Sequence, residues 1–183
     1  MPPSRSAEPP RIRQLTPSDD RTGFTSGNES LDRYFRLYAG QNQFRHHLGV
    51  TYVAVDSGGI AGFMTVAAGE LEGERMTEHR RPHSLPILRL ARLAVHVHAR
   101  GRGIGEALLF EALRLALAMK VSVGCAGVVV DAKPDAVAFY AQYGFMAFEA
   151  FEGASHERPR STPMFLAVRG VKTALVTPSA RKG

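Results

Sequence analysis

Cysteine is nearly absent: Cys125 is the only one in 183 residues, so the chain cannot close a disulfide within itself. Its apolar setting, from Val121 to Val130, predicts a buried thiol and not a nucleophile. No run reaches the roughly 18 apolar residues of a membrane span. Met1 to Pro10 lacks the apolar centre of a signal peptide. These absences point to a cytoplasmic protein with no membrane partner. No internal repeat suggests a solenoid, no Gly-x-Ser-x-Gly elbow is present, and no Gly-Lys-Ser/Thr ending marks a P-loop. His96 and His98 would project from one face of a strand, but no third ligand stands at a recognisable spacing, so no metal is expected. A pair of acidic residues suited to strong general-base work is missing as well.

What is present is ordinary globular material. Hydrophobic residues make up 44% and charged residues 22%, so the bulk of the chain should fold. The length suits one domain with a core of its own, placed at residues 11–170 between loose tails at 1–10 and 171–183. Lys and Arg exceed Asp and Glu by 23 to 17, giving a net charge of +6. That excess favours a polyanionic partner, either nucleic acid or a phosphorylated cofactor, although many basic enzymes share it.

Ser26-Gly27-Asn28-Glu29 has capping-box spacing, and Leu31, Tyr34, Phe35 and Tyr38 follow as one buried helical face. Thr51 to Asp56 and Ile60 to Ala67 form an expected hairpin about Ser57-Gly58-Gly59. Leu71 to Pro86 reads as a long connection. From Arg89 to Val97 a strand is expected, with Leu93, Val95 and Val97 on one side and Leu90, Arg92, Ala94 and His96 on the other. A long helix follows with a stripe of Ile104, Leu108, Ala112, Leu115 and Met119, then a buried strand at Val128 to Val130. Pro134 opens another expected helix carrying Phe139 and Tyr140, closed by Gly144. Phe145 to Phe151 and Met164 to Val168 are the last strand candidates.

Between the expected strand and the long helix lies Arg100-Gly101-Arg102-Gly103-Ile104-Gly105. Free amide groups at a helix start converge on anions, and glycine lets a phosphate come close to the backbone. Arg100 and Arg102 add positive charge there. Taken alone, the glycines favour a plain strand-to-helix turn.

With Arg100, Gly103 and Gly105 in the pattern Arg/Gln-x-x-Gly-x-Gly/Ala, the segment resembles the phosphate signature of GCN5-related N-acetyltransferases (GNAT). The Phe139-Tyr140 pair and Tyr143-Gly144-Phe145 follow as they do in that family, and the similarity spans roughly Phe24 to Val168. Several local phrases are similar to the acetyltransferase toxins of toxin-antitoxin systems: Phe24 to Gly27 with Leu31-Asp32, Thr51-Tyr52-Val53, Pro82-His83, Arg92 to Val95, and Val130 to Lys133. Two positions depart from the pattern, with His96 where an acidic residue is common and Glu106 beside the phosphate loop.

The resemblance implies an α/β (α+β) fold: a central, mostly antiparallel mixed sheet flanked by helices and splayed where acetyl-CoA inserts. It implies an N-acetyltransferase that acts on the α-amine of aminoacyl-tRNA and blocks translation, restrained by a ribbon-helix-helix antitoxin and forming a homodimer. Leu93, Ala94, Val95, Arg100, Gly101, Arg102, Gly103, Ile104, Gly105 and Phe139 would hold acetyl-CoA, with a backbone N–H near Leu93 to Val95 polarising the thioester. Tyr140 would be the proton donor, the alternative being a tyrosine that only reaches the surface. Arg33, Arg36, Arg75, Arg80, Arg81, Arg89 and Arg92 are candidates for tRNA contact or, equally, scattered solvated charge. Asp131 is either an orienting group or a polar strand end. A metabolic or resistance enzyme acetylating a small amine or a protein N-terminus is the rival reading, and a non-catalytic acyl-CoA-binding or RNA-binding module is a third.

Overall fold

A computed structural model of the chain describes residues 9–72, 84–148 and 160–176. Seven strands form one mixed sheet, in the order β1-β2-β3-β4-β5-β7-β6. They are β1 (Arg11–Gln14), β2 (Val50–Asp56), β3 (Gly59–Glu72), β4 (Ser84–Val95), β5 (Gly127–Ala132), β6 (Met146–Ala147) and β7 (Thr162–Ala167). The helices are α1 (Glu29–Arg33), α2 (Ala39–Phe44), α3 (Ile104–Ser122), α4 (Val137–Ala141) and α5 (Val171–Val176), with a π-helical turn at Tyr34–Tyr38 joining α1 to α2. Backbone contacts divide the chain into two compact units, Met1–Thr65 with Arg92–Leu109, and Val66–Ala91 with Phe110–Gly183.

In the first unit β1 pairs antiparallel with β2, Arg11 opposite Val55 and Gln14 opposite Tyr52. The β2–β3 turn forms as expected: Asp56 Oδ1 accepts the Gly58 N–H at 2.8 Å, and Gly59 takes the positive φ of +107° that a side chain resists. Helix α1 is capped by Asn28, whose side-chain oxygen accepts from Leu31 N at 3.1 Å. The capping residue is therefore Asn28 and not Ser26. Beyond α1 the chain widens, with Ala39 N–H bonding to Tyr34 O, five residues back. That extra residue per turn shifts the buried face, so Ala39 is buried and Tyr38, expected inside, is 41% exposed. The core of this unit gathers Leu15, Phe24, Tyr34, Phe35, Val53, Phe63 and Ala94, with Phe35 and Phe63 stacked at 4.2 Å.

Gly62 on β3 is a point of close approach that its sequence context hides. A Cβ there would meet Ile104 Cγ2 at 2.8 Å, Ala94 O at 3.0 Å and Leu108 Cδ1 at 3.1 Å. Gly62→Val will therefore push the start of α3 off β3 and β4, destabilising the protein by about 1–3 kcal/mol, the usual range for overpacking. Denaturant titration checks this, and an unchanged midpoint would refute the close packing.

In the second unit β4 runs parallel to β5, Ile87 to Leu90 opposite Gly127 to Val130. The pairing ends there, although β4 continues to Val95 and β5 to Ala132. Val128, Val129 and Val130 are buried, as their apolar run predicts, and β5 pairs antiparallel with β7. Several expected boundaries move. Strand β3 runs on to Glu72 and β4 begins at Ser84, so both ends of the expected Leu71 to Pro86 connection are strand, residues 73–83 lying outside the described residues; pairing in the sheet overrides the weak local β-propensity at those ends. Pro86 is tolerated because it precedes the ladder with β5 and supplies only its carbonyl, to Ala126 N at 2.7 Å. Strand β4 stops at Val95, and Val97 lies in a 3₁₀ turn.

The buried stripe of α3 is Ile104, Leu108, Leu109, Ala112, Leu113 and Ala116; Leu115 and Met119 are only half-buried, one at the margin of that face and one in the last turn. Helix α4 begins at Val137, and Pro134 instead occupies the second position of a turn closed by Ala136 N to Lys133 O at 2.8 Å. Gly144 ends α4 at φ +88°, with Phe145 N bonding back to Tyr140 O, as expected of a left-handed cap. Strand β6 covers only Met146–Ala147, the remainder of the expected Phe145 to Phe151 strand beyond Phe148 lying outside the described residues. Residues 171–176, assigned from sequence to the C-terminal tail, form α5 and bury Val171 and Ala174.

Candidate active site

The end of β4 carries the first group of site residues. Ala94 is buried, while Leu93 and Val95 alternate to the other face and stay half-buried. Arg92 lies with its guanidinium 3.7 Å above the Tyr34 ring, a cation–π contact. The chain leaves the sheet at His96, whose N–H reaches Ala61 O at 2.9 Å, and makes a 3₁₀ turn over Val97–Ala99. His96 and His98 therefore do not share a strand face; His96 Nδ1 accepts from His98 N at 3.2 Å, and their rings stack at 5.4 Å. Among the described residues no three His, Cys, Asp or Glu side chains gather to hold a metal ion.

Gly101 and Gly103 both have positive φ, +74° and +75°, and a Cβ on either would meet nothing within 4 Å. The glycines are thus required by backbone conformation, and the space beside them is open. Gly103 O accepts the first helical bond of α3, from Ala107 N at 3.0 Å. Gly103 is then the N-cap, and it has no side chain with which to cap. The N–H groups of Ile104, Gly105 and Glu106 precede the first helical bond and have no carbonyl of their own helix to meet. Together with the helix dipole they form an electropositive cradle suited to a diphosphate.

The two arginines beside the cradle are both engaged by the protein. Arg100 donates through Nη2 to Ser26 O. Arg102 pairs with Asp56 at 2.8 Å. The Gly58 N–H, ahead of the Arg102 guanidinium, holds the Asp56 carboxyl below the usual carboxylate range. Asp32, 3% exposed, enters the sequence reading only within the Leu31-Asp32 phrase, with no role of its own. Its carboxylate accepts from Ser26 N at 2.8 Å, Ser26 Oγ at 2.5 Å and Thr25 Oγ1 at 3.3 Å. The signal was available, since Asp32 shares its helical face with Phe35, three residues on.

In the other unit, Tyr140 is 5% exposed, its ring edge-on to Phe139 at 5.1 Å and to Phe145 at 5.5 Å. Burial pushes its phenol above the ordinary tyrosine value, so it stays protonated at any working pH. Its hydroxyl has no hydrogen-bond partner among the described residues and is not one of their sealed polar atoms. Phe139 is half-buried and also meets the Tyr143 ring edge-on at 5.5 Å.

The candidate tRNA-contacting arginines do not share one condition. Arg33 is exposed; Arg36 bonds to Asp32 O at 3.3 Å and lies 3.5 Å from Glu29. Arg89 is paired with Asp131 at 3.0 Å, which assigns both groups a local partner. Arg75, Arg80 and Arg81 lie outside the described residues.

No helix among the described residues is long and apolar enough to cross a membrane. Residues 47–147 match the acetyltransferase (GNAT) domain family. A tRNA-acetylating toxin of Mycobacterium tuberculosis is 33% identical over 139 residues, covering 73% of this chain and 82% of the relative. Among solved structures, a bacterial toxin aligns with a TM-score of 0.77 at 25% identity, over 91% of this chain and 96% of its own. A tyrosine-to-phenylalanine mutant of the toxin AtaT, bound to the C-terminus of the antitoxin AtaR and to acetyl-CoA, aligns with a TM-score of 0.72 at 19% identity, over 91% and 98%. The uncapped start of α3, the open seven-stranded sheet and the matched residues agree, and the chain belongs to the GNAT family of N-acetyltransferases.

Proposed function

We propose that this enzyme transfers acetyl from acetyl-CoA to the α-amine of aminoacyl-tRNA, and so acts in the cytoplasm as a toxin that blocks translation. The observation that carries the reading is the cradle: a glycine-capped helix start with open space beside it, in a chain one-third identical to a tRNA-acetylating toxin. Acetyl-CoA supplies the activated acetyl thioester. The amides of Ile104, Gly105 and Glu106, reached past Gly101 and Gly103, would take its diphosphate, with Arg102 adding charge. Beyond Leu90, where the β5 ladder has ended, β4 offers the backbone of Leu93, Ala94 and Val95 to the pantetheine, and an N–H there would polarise the carbonyl. Phe139 would pack beside the thiol end, and Tyr140 would hold a proton at its phenol oxygen for the departing sulfur. Arg33, Arg36 and Arg92, joined by Arg75, Arg80, Arg81 and Arg89, would meet the phosphates of the acceptor end. A ribbon-helix-helix antitoxin is the expected partner, and a homodimer the expected assembly.

This acceptor needs no strong base, and the sequence offers no evident pair of acidic residues to supply one. An aminoacyl α-amine titrates at or below the ~7.7–8.0 of an ordinary α-amine, against ~10.4 for lysine, so a neutral fraction exists without one. Incubation with radiolabelled acetyl-CoA and charged tRNA will place label on the aminoacyl group and none on uncharged tRNA. Label on small amines or protein N-termini with none on charged tRNA would establish the metabolic reading instead. Transfer will also rise with pH until the amine is neutral, near ~8, and will not turn down as an ordinary tyrosine begins to ionise at about pH 9–10. An alkaline fall below about pH 9.5 that Tyr140→Phe abolishes would show a phenol of ordinary acidity.

A further inference from the structure

Arg100 stands next to the glycines of the cradle, yet its guanidinium is committed to a backbone oxygen, that of Ser26. The same stretch takes a second bond from the loop, Val97 N to Thr25 O at 2.9 Å. Thr25 to Gly27 therefore holds the loop at two points, three residues apart. Gly27 makes the approach possible: its φ is +81°, and a Cβ there would come within 3.2 Å of Arg100 Nη2. Asp32 in turn fixes that stretch. A buried carboxylate only accepts, and this one takes the Ser26 N–H, the Ser26 hydroxyl and the Thr25 hydroxyl; that N–H belongs to the Thr25–Ser26 peptide, whose carbonyl receives Val97 N, so Asp32 fixes this peptide and the Ser26 Cα from which the carbonyl facing Arg100 extends.

We infer that Asp32, acting through Ser26, and Arg100 are positioning residues that hold the backbone of the Arg100 to Gly105 loop in its anion-binding shape, and that Arg100 serves as a hydrogen-bond donor and not as a counter-charge to the diphosphate. The inference rests on the acetyl-CoA reading given above. A cradle of amides needs its N–H groups already aimed, because every rotation the loop can make in the free protein must be frozen on binding. Two tethers at the near end of the loop and the first helical bond at the far end supply that order.

The Arg100 series tests it, because Arg100 is exposed and its replacement leaves no buried charge. Arg100→Lys keeps donor and charge, Arg100→Gln keeps a donor alone, and Arg100→Met keeps neither. Calorimetry with acetyl-CoA is expected to find Lys and Gln within about threefold of wild type and Met weaker by about tenfold, ~1.4 kcal/mol. The loss should fall on KM for acetyl-CoA and not on kcat, with the salt dependence of binding the same in all four proteins. Amide exchange at Val97, Ala99 and Ala107, the hydrogen-bonded amides flanking the loop, should quicken in Arg100→Met while β2 amides stay protected. Asp32→Asn should give the same KM effect and the same loop exchange, with an added loss of stability from turning a donor toward Ser26. If Gln is as weak as Met, or Met flattens the salt dependence, Arg100 is a counter-charge and the inference falls. It falls too if all three variants bind like wild type. Wild-type protein that ignores acetyl-CoA would instead overturn the cofactor reading and the tether with it.

Discussion

Tyr140→Phe will slow acetyl transfer by about 10²–10⁴-fold, the contribution of a positioned proton donor, while the protein stays folded and binds acetyl-CoA as before. The substitution is sparing. Phenylalanine keeps the ring that packs against Phe139 and Phe145 and removes one oxygen, which has no partner among the described residues. No hydrogen bond among the described residues is broken, so the melting temperature should hold. A raised phenol pKa keeps the proton in place at every pH where the amine is reactive, which makes this group a donor and excludes it as a base. Single-turnover transfer to charged tRNA, with acetyl-CoA affinity measured alongside, separates the outcomes. A variant with wild-type turnover would remove Tyr140 from the chemistry.

Gly103→Asp will weaken acetyl-CoA binding by at least ~100-fold, about 2.7 kcal/mol. Three effects act in the same direction. The new carboxylate can accept the first-turn amides that the ligand would otherwise use, converting an open helix start into a capped one. It sets negative charge against the diphosphate. Its Cβ and oxygens enter the open space beside φ +75°, although aspartate tolerates that backbone region better than most residues. Because capping offsets the backbone strain, the melting temperature should move little while calorimetry shows the ligand lost. Binding within about threefold of wild type would place the diphosphate away from α3.

Elements whose signals are local were legible in the chain. The β2–β3 turn, the buried valines of β5, the Gly144 cap and the glycine loop before α3 each follow from a backbone need or an apolar run that three to six residues express. Phase and extent were harder. The π-helical turn at Tyr34–Tyr38 moved the buried position from Tyr38 to Ala39, because the widened turn adds a residue that no heptad-like spacing reveals. Strand β3 was longer than its apolar stretch, and β4 began earlier and stopped sooner than expected, because pairing partners set strand ends and those partners lie far along the chain.

The amino-acid order by itself determined that the loop before α3 must carry glycine and that Tyr140 has aromatic neighbours at Phe139, Tyr143 and Phe145, since these depend on residue type and short spacing. Only the tertiary structure decided what the charged groups do. It placed Arg100 on Ser26, Arg102 on Asp56, Arg89 on Asp131, and the Asp32 carboxylate beneath the stretch that receives Arg100. Partners separated by many residues in sequence leave no periodic trace, because a long side chain reaches whatever acceptor the fold brings near. For that reason a basic loop reads as free positive charge until the fold shows which of its hydrogen bonds are already made.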